Sequence, residues 1–154
     1  MKVAVLMGSP RDRDKMAPAA ATLAELGVEV EELVLSAHRT PDQVASFARD
    51  ARADGYAALI CGAGMAAHLA GAVAANTTLP VVGVPLSGSA LNGVDALYAT
   101  VQMPSGIPVA TVAIDGAANA ALLVAQMLAI TDADLAAKLD ARRQAAAEAV
   151  GRTK

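Results

Sequence analysis

The stretch "LVLSAHRTPDQ", Leu33 to Gln43, decides how this chain is read. An apolar run stops at Leu35, a polar turn with His38 and Arg39 follows, and a helix start comes directly after. Thr40 is a capping residue type, and Pro41 suits a first helical position because its φ is preset and its N–H is missing. Gln43 completes a capping-box pattern. An apolar run that leads through a polar turn into a helix is the unit from which parallel sheets are built.

The unit repeats on both sides of this stretch. Apolar runs of strand length stand at Val3–Met7, Val30–Leu35, Ala57–Cys61, Val81–Pro85 and Val109–Ile114, most of them rich in Val or Ile. Only Val30–Leu35 carries an acidic pair, Glu31 and Glu32. Segments such as Asp14–Leu26 and Pro41–Asp54 read as helices between them. The alternation predicts an α/β fold: a parallel five-stranded sheet with helices on both faces. Ala117–Ile130, "AANAALLVAQMLAI", is apolar nearly all round except for Asn119 and Gln126. Burial on most of its sides is expected, part of it against another subunit. From Asp132 the tail mixes charges with Leu135, Leu139 and Val150. It reads as an amphipathic C-terminal surface helix over about 132–150 that frays at "GRTK".

Bulk properties narrow the function classes. A chain of 154 residues is expected to form one domain, with its core over about 1–130. Hydrophobic residues make up 55% and charged residues 18%, with mean hydropathy +0.45. So much apolar surface on a small domain predicts subunit contacts. No uninterrupted apolar stretch reaches about eighteen residues, so no membrane span is expected. The run in "MKVAVLMGSPRDRD" is too short for a signal peptide, which predicts a cytoplasmic protein. A net charge of −3 and 2% aromatics exclude a basic, ring-studded nucleic-acid surface. The single cysteine, Cys61, cannot form an internal disulfide and reads as a small core residue.

In an open parallel sheet, ligands bind outside the carboxyl ends of the strands. The turns that follow the runs are "GSPRD" (Gly8–Asp12), "SAHRTPD" (Ser36–Asp42), "GAGMAAHLAG" (Gly62–Gly71), "PLSGSALNG" (Pro85–Gly93) and "DGAAN" (Asp115–Asn119). Both histidines, His38 and His68, fall in this set, and histidine is suited to proton transfer near neutral pH. Ser9, Ser36 and Arg39 suggest an anion site, since hydroxyls and helix-start N–H groups bind phosphate and Arg grips two oxygens. Each has a plainer reading as well. Ser9 is a helix cap, and Arg39 is a surface partner of Asp42 or Asp12. Asp12 either meets sugar hydroxyls or favours a helix N-terminus. "GAGMAA" fits G-x-G-x-x-G/A, but it follows the third run and no ribose-holding acid ends the next one. No HxH, HExxH, cysteine cluster, Walker A or G-x-S-x-G sequence is present, so neither metal nor nucleotide cofactor is expected.

Taken in order and spacing, "MGSPRD", "SAHRTPD", "GAGMAAHLAG", "LPVVGVP", "LNGVDALYATVQMPSGIPVAT" and "GAANAALLVAQMLA" resemble the N5-carboxyaminoimidazole ribonucleotide mutases of purine biosynthesis. The resemblance covers roughly residues 3 to 130. It implies a three-layer flavodoxin-like fold, octamers with active sites between subunits, a ribonucleotide substrate, and chemistry without metal or cofactor. It also implies roles. His38 is the general acid/base and His68 a second active-site histidine. Asp12 meets the ribose hydroxyls, and Ser9, Ser36 and Arg39 surround the 5′-phosphate. Gly62, Ala63, Gly64, Ala66 and Ala67 line the carboxylate and imidazole pocket. Two positions depart from the commonest pattern: Met65 stands where Gly is usual, and Ala70 where "HLPG" is frequent. Neither change removes a reactive group.

The nearest rival is the related carboxylase, which adds free CO₂ to aminoimidazole ribonucleotide. That branch tends to show Lys after "SAH" and a Ser-containing loop in place of "AAHL", so Arg39 and His68 weigh against it. A non-catalytic phosphate-binding module of the same fold would need the anion grip but not two histidines.

Overall fold

The computed structural model describes residues 1–151. Its strands are β1 (Lys2–Met7), β2 (Glu29–Val34), β3 (Tyr56–Gly64), β4 (Val81–Leu86) and β5 (Ala110–Thr111). All pair in parallel, in the order β2-β1-β3-β4-β5. This is the flavodoxin-like order, whose reversal beside β1 opens a crevice at the carboxyl edge. The helices are α1 (Arg13–Glu25), α2 (Pro41–Asp50), α3 (Leu69–Ala74), α4 (Val94–Val101), α5 (Ala117–Ala129) and α6 (Ala133–Gly151). A short 3₁₀ turn, Pro10–Asp12, leads into α1.

Alternation along the strands divides the core in two. Val3, Val5 and Met7 join Ile60, Val82 and Val84 under α1, α5 and Leu135 of α6. Ala4 and Leu6 join Leu59, Cys61 and Val81 under α2 and α3. Two strand glycines set how close the helices come. A Cβ on Gly62 would collide with the Met16 side chain of α1, and one on Gly83 with the Thr100 methyl of α4. Burial pushes the Cys61 thiol far up in pKa, so it is packing and not a nucleophile.

The elements differ from the expected boundaries for local reasons. β3 runs on through Gly62, Ala63 and Gly64, because β1 and β4 flank it and continue the ladder. β5 keeps only Ala110 and Thr111 of the expected Val109–Ile114. Val112 N–H still donates to Gly83, but Pro85 has no N–H to return, and its carbonyl is taken by Asp115. The acidic pair in β2 belongs to an edge strand, where Glu31 bonds Lys2 at 2.6 Å and the Tyr56 hydroxyl at 2.5 Å. α2 ends at Asp50 rather than Asp54, and the chain turns back at Gly55 with φ +85°.

Thr40 precedes α2, yet its side chain makes no cap bond. Its Oγ1 instead accepts from Ser36 N–H (3.0 Å) and donates to the Ser36 carbonyl (3.1 Å). α5 is covered by α1, α6 and the sheet; its polar Asn119 and Gln126 are exposed, and of its large apolar neighbours Ile130, just beyond its end, is strongly exposed (83%). The uncovered apolar stripe lies on α4 instead, where Val94, Tyr98 and Val101 are exposed at helical spacing and Leu91 in the preceding turn extends the patch. Gly151 closes α6; the rest of the expected frayed end, 152–154, lies outside the described residues. Among those residues no helix is long and apolar enough to cross a membrane.

Candidate active site

Four strand-end loops meet at the carboxyl edge around a cleft of about 650 Å³. The loop after β2 is tied at both ends by Thr40 and Ser36, which leaves His38 and Arg39 at its tip. Ser36 Oγ accepts from the Arg39 backbone N–H (3.2 Å) and from its Nε (3.3 Å). Arg39 Nη2 donates to the Gly8 carbonyl at 2.8 Å, which joins the first two loops. Neither Asp42 nor Asp12 pairs with Arg39 within ion-pair distance. Three of the five guanidinium N–H donors therefore remain for a ligand, as does the Ser36 hydroxyl proton.

The first loop supplies Ser9 and Asp12. Ser9 Oγ accepts from Arg11 N–H at 3.3 Å, so its cap role and its place in the cleft coexist. Asp12 follows one turn later. Burial raises its carboxyl above the usual range, against the opposing pull of the Ser9 backbone, Lys15 and Arg39. The end of β3 supplies Ala63 and Gly64, and the loop after it Met65, Ala66 and His68. The His38 and His68 rings, from different loops, lie with centroids 5.4 Å apart and tilted by 50°.

Two residues expected to line the pocket are set back from it. Gly62 lies in β3 beneath Met16, and Ala67 is almost fully buried. Lys15, Ser87, Gly88 and Ser89 line the cleft although no motif pointed to them individually. The available signal was position alone, since Lys15 opens α1 and Ser87 follows β4. Met65 stands in the left-handed region at φ +55°, the conformation that Gly adopts without strain.

A second cleft, about 760 Å³, lies at the amino ends of β3, β4 and β5 and contains Arg49 and Arg52. Both are engaged: Arg49 Nη1 donates to Asn76 Oδ1 (3.2 Å) and Arg52 Nη2 to Thr78 Oγ1 (3.1 Å). No histidine lines it. Among the described residues, no group of three or more His, Cys, Asp or Glu side chains could hold a metal ion.

Residues 2–149 match the family described as AIR carboxylase. The chain belongs to that family. It is 53% identical over 150 residues to the N5-carboxyaminoimidazole ribonucleotide mutase of Brucella melitensis, covering 96% of this chain and 93% of that one. The mutase of the same name from Bacillus subtilis is 54% identical over 144 residues, covering 92% and 89%. Among solved structures, the crystal structure of Treponema denticola PurE superposes with a TM-score of 0.88 at 29% identity, covering 97% of this chain and 93% of that one.

Proposed function

We infer that this chain is an N5-carboxyaminoimidazole ribonucleotide mutase. It moves a carboxyl group from the exocyclic nitrogen of the substrate to ring carbon C4, giving 4-carboxy-5-aminoimidazole ribonucleotide on the route to IMP. The observation that carries the reading is the pairing of His38 and His68 in one cleft beside the unfilled guanidinium of Arg39. Arg39, Ser36 and Ser9 hold the 5′-phosphate, and Asp12 takes the ribose hydroxyls.

With the ring so placed, the carbamate C–N bond breaks as the nitrogen receives a proton, which releases CO₂ within the cleft. The enamine-like C4 attacks that CO₂ and forms the C–C bond. Removal of the C4 proton then restores aromaticity. One proton enters and one leaves, so a single acid/base serves both steps, and His38 is assigned to it. His68 and the backbone of Ala63, Gly64 and Ala66 border the carboxyl, while Gly62 and Ala67 support that wall from behind. No redox change or phosphoryl transfer is needed, which is consistent with a reaction free of cofactor, metal and ATP.

The chain acts as one cytoplasmic catalytic domain in a homo-oligomer, with the octamer as the assembly the resemblance implies. The α4 stripe of Val94, Tyr98 and Val101, extended by Leu91, is the surface offered to a second copy. Light scattering should give a mass several times 15.4 kDa, and Tyr98→Asp should lower it.

Purified protein should consume N5-carboxyaminoimidazole ribonucleotide equally well with and without added bicarbonate. Turnover of aminoimidazole ribonucleotide that depends on bicarbonate, with no use of the carbamate, would instead assign the carboxylase reaction.

A further inference from the structure

Lys15 leaves the first turn of α1 and crosses the end of β3 to reach the loop after β4. Its ammonium donates to the Ser87 carbonyl (2.8 Å) and to Ser87 Oγ, and it lies 3.6 Å from Asp115 Oδ1. Asp115 in turn accepts from Ser87 N–H (2.9 Å) and from the Ser87 hydroxyl. The burial of Asp115 is outweighed by these Ser87 bonds and by Lys15, so its carboxyl stays below the usual range. Two of the three ammonium N–H donors go to Ser87, and the Asp115 carboxylate lies at ion-pair distance, so the charge is balanced within the cluster.

The cluster joins the first turn of α1 to the loops after β4 and β5, at the side of the cleft away from His38. Ser87 is followed by Gly88 at φ +108°, and both line the cleft with Ser89. Asp115 itself is held at φ +56°, a strained conformation for a residue with a Cβ. A strained turn and a glycine-hinged loop meet at one charged side chain.

We propose that Lys15 is a positioning residue of the mutase site: its tie to Ser87 and Asp115 fixes the β4–α4 wall and keeps a permanent positive charge in the cleft that Asp12 also lines. This rests on the mutase reading of the cleft. Asp12 is faced by Lys15 from α1, by Arg39 from the loop after β2 and by the Ser9 backbone, and Arg11 and both histidines line the same cleft. Removing one of two cations from a carboxyl already raised by burial lifts its pKa further. The Asp12 carboxylate, needed ionised at the ribose, is then lost at a higher pH.

The test is the pH profile of kcat/KM for the wild type, Lys15→Met, Lys15→Arg and Ser87→Ala, with thermal melts alongside. Lys15→Met should lower kcat/KM by about ten- to a hundredfold at neutral pH, the scale of a lost charged contact. The acid limb should move to higher pH, and Lys15→Arg should restore the limb. Ser87→Ala should lower kcat/KM with the limb unmoved, and adding it to Lys15→Met should cost less than the sum of the two. Should Lys15→Met fail to fold, the Lys15→Arg and Ser87→Ala profiles carry the test, because loss of the tie without loss of charge must leave the limb in place. An unmoved limb in Lys15→Met, or kcat/KM within twofold of wild type, overturns the proposal and leaves the mutase reading standing. An inactive wild type removes the mutase reading, and the proposal with it.

Discussion

Two clefts of similar size lie at opposite ends of the same strands, about 650 Å³ at the carboxyl end and about 760 Å³ at the amino end. The larger one carries two arginines, each bonded to a neighbouring loop, and no histidine. The smaller one brings Arg39 together with two histidines in ring contact and a carboxyl pushed up by burial. Backbone strain divides the same way. Among the described residues, Met65, Asn92 and Asp115 are the non-glycine residues at positive φ, and all follow carboxyl ends of strands. At the amino-end cleft the positive φ falls on a glycine, Gly106. Volume does not mark a site. A gathering of titratable groups and tolerated strain do.

The sharpest way to break this contrast is His38→Asn, which keeps size and polarity but removes the titrating group. Loss of a general acid/base costs on the order of 10²–10⁴ in rate. Turnover should fall by that much while ribonucleotide affinity, measured by calorimetry, stays nearly constant. Near-normal turnover would return His38 to a structural role and leave the carboxyl-end cleft without its proton carrier.

Arg39→Leu comes next. A hydrogen bond to a charged group is worth roughly 1.5–3 kcal/mol, so ribonucleotide binding should weaken by about one to two powers of ten. Replacing the ribonucleotide by its riboside should hurt the wild type badly and add little in Arg39→Leu, because both changes remove one contact. Simple additivity of the two losses would mean that the guanidinium holds the Gly8 carbonyl and not the phosphate.

The amino-end cleft supplies the control. Arg49→Met and Arg52→Met each remove one exposed hydrogen bond, worth about 1 kcal/mol at most in stability. The melting temperature should fall by no more than about 4 °C, with kcat/KM unchanged. A loss of activity from either would show that the two ends communicate, and the contrast between them would fail.

How much of this was legible in the sequence follows from the range of the forces involved. The strands and the helices between them were readable because β1, β3 and β4 are buried on both faces and so read as continuous apolar runs. The strand order was implied only by the family resemblance. The loops that meet at the cleft were readable because parallel topology sends every strand end to one edge. The extent of β5 was not, since it depends on Pro85 in a neighbouring strand. The Thr40 side chain looked like a cap, but Ser36 offers it a donor and an acceptor four residues back. The uncovered apolar face was expected on the most hydrophobic helix, yet α1 and α6 cover α5, and the open stripe fell to α4. Lys15 was missed because its partner Ser87 is 72 residues away and nothing local announces the contact.

The smallest expected effect lies at Met65, where strain at the carboxyl edge is measurable directly. Its φ of +55° puts a Cβ in the left-handed region, which costs about 1–2 kcal/mol in a residue of this kind. Its side chain is 66% exposed, so removing it forfeits little burial within the chain. Glycine would relieve the strain but adds freedom to the unfolded chain, worth roughly 0.5–1 kcal/mol in the other direction. The balance for Met65→Gly is a gain of about 0.5–1 kcal/mol, read as a higher urea midpoint with an unchanged slope. A lower midpoint accompanied by a smaller mass in light scattering would point elsewhere. It would mean that Met65 packs against another copy of the chain, and that the strain at this edge is held in place by assembly and not by the fold of one subunit.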